Sequence, residues 1–149
     1  MQTAPSLASD HASSGDDQAP GLNAGFVVAG ILGALGVALG AFGAHALKGF
    51  LSVADNGAQR LQWWSTATEY HLVHALLAAV FAVMLRRAPR ARTGLALCVV
   101  GVTLFCGSLY VMTLTNLRVL GAVTPLGGLA FIGAWVWLIV ATRPSPGRP

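Results

Sequence analysis

What this sequence has least of is charge. Only 9% of its 149 residues are Asp, Glu, Lys or Arg, against about a quarter in an ordinary soluble domain. Hydrophobic residues make up 55%, so no soluble catalytic domain fits beside the apolar bulk and a single domain is the sensible count. Cysteine is nearly absent. Cys98 and Cys106 fall in one apolar stretch, about 12 Å apart at helical rise, too far for a disulfide, and read as small buried apolar side chains. Residues 1–21 hold no Lys or Arg and no apolar core, which excludes a secretory signal. Rich in Ala, Ser, Asp, Gln and Pro, they are expected to form a disordered tail, as are the proline-rich residues 143–149. The net charge of +4 comes from few cations placed near the ends of apolar stretches. That placement suits membrane topology, not a phosphate-tracking surface, and argues against nucleic acid as a partner.

What is present in quantity is four apolar runs, at about 22–47, 66–86, 93–114 and 121–142, each near the roughly 20 residues a spanning helix needs. They predict an all-α integral membrane four-helix bundle with short loops over 22–142, its first partner the lipid bilayer. With four spans both tails share one side. Arg86, Arg87, Arg90, Arg92, Arg143 and Arg148 fall on that side, and Lys48, Arg60 and Arg118 on the other. Retention of cations inside predicts both termini cytoplasmic. Trp63 and Trp64 fall where an aromatic belt would lie. Thr124 followed by Pro125 reads as an N-cap with proline in the first helical position.

At about 100° per residue, Gly25, Gly33, Gly36, Gly40 and Gly43 share one face of the first span. Ala34, Ala38 and Ala41 form a nearly opposite stripe that ends at His45. Small residues let backbones approach in lipid, so the first span is expected to be wedged between neighbours as the centre of packing. The second span gathers Trp63, Ala67, Tyr70, His71, His74 and Ala78 on a broad face. The third gathers Gly94, Cys98, Gly101, Phe105, Ser108 and Met112. Both faces are expected to point inward.

Ionisable groups inside a bilayer are functional suspects by default, and here they are His45, Glu69, His71 and His74. Glu69 points away from the histidine face and reads as an interfacial carboxylate. His71 and His74 share a face, but no Glu-x-x-His pair accompanies them, and no metal site is assigned. His45 and His74 are the candidates for a haem held from two helices; no second pair supports them, and no cofactor is assigned. Nucleophile elbow, phosphate-binding loop, zinc-protease helix and dinucleotide fingerprint are all missing. The plainer role for Tyr70, His74, Ser108 and Tyr110 is hydrogen bonding between helices, worth about 0.6–2 kcal/mol each.

Four ordered motifs carry a resemblance. They are Gly40-Ala-Phe-Gly-Ala-His-Ala-Leu-Lys48; Trp64-Ser-Thr-Ala67 with Tyr70 and His74-Ala-Leu76; Gly107-Ser-Leu-Tyr110; and Thr124-Pro-Leu-Gly-Gly128. Together they resemble the domain of unknown function 423 family, which includes bacterial inner-membrane proteins and the animal transmembrane protein 256. The resemblance spans about Gly25 to Ala141. It implies a compact protein of about four spans in a bacterial inner membrane, and it brings no reaction. The motif positions it marks are Gly40, Gly43, His45, Tyr70, His74, Ser108, Tyr110, Thr124, Pro125 and Gly128. His71 and Cys106 depart from the pattern, where glutamine and serine are common, which puts any mechanism built on a His71–His74 pair in doubt.

The function expected is that of a multi-pass, non-enzymatic membrane protein acting through packing or interaction, with a membrane-protein partner or a second copy. The residues assigned to helix packing are Gly33, Gly36, Gly40, Gly43, Thr124, Pro125 and Gly128, and those to polar contact are His45, Tyr70, His74, Ser108 and Tyr110. An alternative is a small transporter or channel subunit with a polar path through His45, His74 and Tyr110. A third is a haem- or metal-binding redox protein.

Overall fold

The computed structural model describes residues 20–143, with side chains over 24–143. The tail expectations for 1–19 and 144–149 lie outside the described residues. The first helix already begins at Pro20, just inside the stretch expected as tail. α1 covers residues 20–51: Pro20–Phe42 is α-helical, Gly43–Leu47 opens into a π-turn, and Lys48–Leu51 closes the helix. α2 is Gly57–Met84. α3 is Ala91–Thr115, with a second π-turn at Val102–Cys106. A 3-10 turn over Arg118–Ala122 leads into α4, Thr124–Thr142. Ala24–Leu51, Gly57–Met84, Ala91–Thr115 and Arg118–Thr142 are each long and apolar enough to cross a membrane, so the chain is an all-helical four-span protein.

α2 starts well before the apolar run at Thr66. Asn56 takes a left-handed φ of 57°, and Gly57 lies against the Leu51 carbonyl, where any side chain would collide. The chain therefore reverses within a few residues and winds its polar stretch Gln59–Gln62 into helix at once. At 28 residues α2 is about 42 Å long, against a hydrocarbon core of about 30 Å. Hydropathy marks the part inside lipid, while the turn residues set where the helix begins.

The centre of packing is α2, which corrects the expectation for the first span. α2 packs along α1 on one side and α3 on the other and reaches α4, whereas α1 packs along α2 and makes no comparable contact with α3 or α4. Within the most apolar window, 44% of α2 is buried against 17% of α1. The stripe Ala34, Ala38, Ala41 and His45 is exposed; no fold neighbour covers it. Of the faces expected to point inward, Ala67, His71, His74 and Ala78 of α2 and Gly94, Cys98, Gly101, Ser108 and Met112 of α3 are buried, whereas Trp63 and Phe105 are half-buried and Tyr70 is exposed.

Glycine determines how closely the helices approach. A methyl group on Gly36 would stand 2.7 Å from Leu72 Cδ2, and one on Gly40 3.1 Å from Thr68 Cγ2. Gly43 lies against the Trp64 ring, Gly94 against Phe81, Gly101 against Phe131, and Gly127 against the backbone of Phe105. Gly128 makes only ordinary contact, 3.8 Å from the Phe105 ring. Gly33, assigned to packing with the others, has nothing within 4 Å; its direction on α1 points past α2, not into it.

Trp64 is also reassigned. It is 4% exposed and packs with Leu47 and Leu51, because the early start of α2 carries it two turns into the helix; it is a core residue, not part of an interfacial belt. Thr124 is the first residue of α4 and makes no capping bond, since its hydroxyl pairs with Ser108 instead. Pro125 keeps its place in the first turn.

Gly36→Leu is expected to lower the stability of the protein in detergent by about 1–3 kcal/mol, the usual range for overpacking. Gly33→Leu is expected to leave it within about 0.5 kcal/mol. Thermal unfolding followed by circular dichroism checks both, and equal loss in the two variants would contradict the placement of Gly33.

Candidate functional site

The polar side chains inside the membrane domain gather on the inner face of α2 and meet α3 and α4 at three levels. At the first level, Arg60 is 9% exposed, although its polar surroundings in the sequence mark it as a loop cation. Its Nε donates to the Thr113 carbonyl at 2.7 Å and its Nη2 to the Leu114 carbonyl at 3.0 Å. Those carbonyls belong to the last turn of α3, where no intrahelical donor is left and a cation is favoured by the helix dipole. In return the Thr113 hydroxyl lies 3.1 Å from the Arg60 carbonyl and 2.8 Å from that of Leu109. Arg60 therefore caps a neighbouring helix and ties α2 to α3.

At the second level, His71 Nδ1 lies 3.3 Å from the Tyr110 hydroxyl, and Tyr110 packs on Trp64 with ring centroids 4.6 Å apart. Trp64 Nε1 donates to the Leu39 carbonyl of α1 at 2.9 Å. His71 is 3% exposed, and among the described residues its Nε2 has no hydrogen-bond partner. Tyr110 pairs with His71, the residue that departs from the motif, and not with His74.

At the third level, His74 is 3% exposed and occupied at both nitrogens. Its Nδ1 lies 2.7 Å from the Tyr70 carbonyl. A carbonyl only accepts, so Nδ1 carries the proton. Its Nε2 lies 3.2 Å from Trp135 Nε1, an indole that only donates, so Nε2 is the bare nitrogen. The two bonds together define one neutral tautomer. The ring is also stacked on Phe131 at 3.5 Å between centroids, and Phe131 in turn fills the place left open by Gly101. Between these last two levels on α3, the Ser108 hydroxyl lies 2.9 Å from Thr124 Oγ1 and 3.0 Å from the Phe105 carbonyl, which joins α3 to the start of α4.

Of the residues singled out from sequence, His74, Ser108, Tyr110 and Thr124 enter these contacts. Tyr70 is 45% exposed and contributes its ring to Phe105, at 4.7 Å between centroids, and its carbonyl to His74. His45 is exposed on the π-turn of α1. The path through His45, His74 and Tyr110 is therefore not assembled. Nor do His45 and His74 converge as a haem pair would, and no group of three or more His, Cys, Asp or Glu capable of holding a metal occurs among the described residues. Both cysteines are free and buried. Arg60, Thr113 and Trp135 were missed by sequence reasoning. Arg60 and Thr113 carried no signal, because an arginine that caps the end of another helix has no local pattern.

Residues 39–128 match the family described as "Protein of unknown function (DUF423)". The chain is 42% identical over 120 residues to UPF0382 membrane protein YwdK of Bacillus subtilis, covering 78% of this chain and 94% of that protein. It is 38% identical over 124 residues to UPF0382 membrane protein SAB0533 of Staphylococcus aureus, covering 82% and 98%. It is 37% identical over 119 residues to UPF0382 inner membrane protein YgdD of Escherichia coli, covering 76% and 85%. No solved structure matches the chain.

Proposed function

The chain belongs to the DUF423 family of multi-pass bacterial inner-membrane proteins, and we propose that it works without catalysis, as a structural and interaction module of the membrane. The observation that carries this reading is the state of His74. It is one of two buried histidines in the spans, and both its nitrogens are already committed. Protonating it would set two donors, Nε2–H and the Trp135 indole, against each other at 3.2 Å. Arg60, Ser108, Thr113 and Tyr110 are likewise engaged between helices, so most of the polar inventory serves cohesion, and among the described residues His71 Nε2 alone of the buried histidine nitrogens stays without a partner. Partners are then met sideways in the bilayer, as a second copy or another membrane protein against the exposed faces of α1 and α4.

The arginine distribution supports cytoplasmic termini. Arg60 counts for less on the opposite side once it is bound within the bundle, which sharpens the bias. In intact cells Ser52→Cys should react with a membrane-impermeant maleimide while Arg87→Cys stays unlabelled; the reverse pattern would invert the topology. The native cysteines are buried and give little background.

Proteoliposomes holding the purified protein should keep a pH gradient as long as protein-free vesicles do. His74→Ala should instead lower thermal stability, by about 0.6–1.7 kcal/mol for each interhelical bond lost. A proton leak that His74→Ala abolishes would overturn the non-transport reading.

A further inference from the structure

The seam between α1 and α2 holds two recesses, one after the other along its length. The apolar one, about 560 Å³, is lined on α1 by Gly30, Gly33 and Val37 and on α2 by Leu72, Leu76 and Ala79. The polar one, about 300 Å³, is lined on α1 by Gly40, Ala44 and Lys48 and on α2 by Ser65, Thr68 and Glu69. At about 100° per residue the α2 residues of both recesses fall on one stripe, and the α1 residues face them across the same seam. Both recesses therefore lie along one seam, with the two charges in the recess at the Lys48 end. Gly30 and Gly33 keep the apolar part open, since nothing stands within 4 Å of either.

Two features define what fits. The stretch from Gly40 to Gly30 rises about 15 Å, the depth of one leaflet of a hydrocarbon core about 30 Å thick. At the polar end Lys48 and Glu69 face the same recess from opposite walls. Neither is in an ion pair among the described residues, and Glu69 receives only the Ser65 hydroxyl, at 3.2 Å. A cation and a carboxylate held apart across one recess ask for a ligand that carries both signs.

We propose that the two recesses act as one groove that binds one aminophospholipid, its zwitterionic headgroup between Lys48 and Glu69 and one acyl chain past Gly33 and Gly30. A second protein helix fits the apolar part but offers nothing to the separated charges. A phosphatidylcholine headgroup has no N–H to donate to the carboxylate. The site is independent of the non-transport reading: a leaky proteoliposome would end that reading and leave the groove untouched.

The test uses the full chain reconstituted in vesicles of equal phosphatidylethanolamine and phosphatidylcholine, then extracted into mild detergent for native mass spectrometry. One phosphatidylethanolamine should be retained in preference to phosphatidylcholine. Glu69→Gln and Lys48→Ala should each cut that retention about tenfold, as expected for loss of one charge-assisted hydrogen bond. Gly33→Leu, which fills the groove, should remove it with helical content unchanged. If Gly33→Leu fails to fold, the two charge variants decide alone, since both side chains are exposed. Equal retention of the two lipids, or retention indifferent to Glu69→Gln, would overturn the proposal. So would a fall in oligomer size in Gly33→Leu with no lipid lost, which would place a second copy in the groove.

Discussion

Aromatic rings seated on glycines of the next helix are the contacts on which the rest of this structure depends. Lipid tails are as apolar as the helices, so burial gives no drive for helices to associate, and close packing has to supply it. Trp64 sits on Gly43, Phe81 on Gly94 and Phe131 on Gly101. These contacts join α2 to α1, α2 to α3 and α4 to α3 in turn. Both π-turns lie at such approaches: the first begins at Gly43, and the second contains Phe105, whose backbone receives Gly127. The wider turn displaces the helix locally at the points where a neighbour comes closest.

The polar contacts follow from that packing. His74 reaches Trp135 because Phe131, one turn earlier on α4, is held in place by Gly101 and lies flat on the imidazole. Tyr110 is placed against His71 by the Trp64 ring behind it. Arg60 reaches the end of α3 because α2 begins early at Gly57 and puts the guanidinium level with Thr113 and Leu114. Each polar bond adds of order 1 kcal/mol; those of His74 and Tyr110 inherit their geometry from the ring-on-glycine contacts, and those of Arg60 from the turn at Gly57.

Much of the architecture was legible because it rests on composition and period. The four apolar runs became the four helices, and the inward faces of α2 and α3 followed from spacing alone. What periodicity could not tell is whether a face of small residues meets a helix or meets lipid, since both are apolar. Hence Gly36, Gly40 and Gly43 lie in an interface, while Gly33 and the Ala34, Ala38, Ala41 stripe do not. For the same reason its small residues point to α1 as the centre of the bundle although it stands at the edge. Arg60 and Trp64 were misplaced together, because hydropathy located the span and not the turn at Asn56–Gly57 that starts the helix. Of the polar residues, His74, Ser108 and Tyr110 could be anticipated as interhelical contacts, whereas the tautomer of His74 needed the positions of both its partners.

The open length of the α1–α2 seam has the same origin: where no ring comes across from α2 to meet Gly30 and Gly33, the helices part and leave a groove. The central claim is that ring-on-glycine contacts hold the helices together, and the most direct measurement compares thermal unfolding in detergent for Gly101→Ala alone and combined with Phe131→Leu. A loss of stability in Gly101→Ala that the second, smaller side chain largely restores is the predicted result. Gly101→Ala as stable as the unmodified protein would contradict the account.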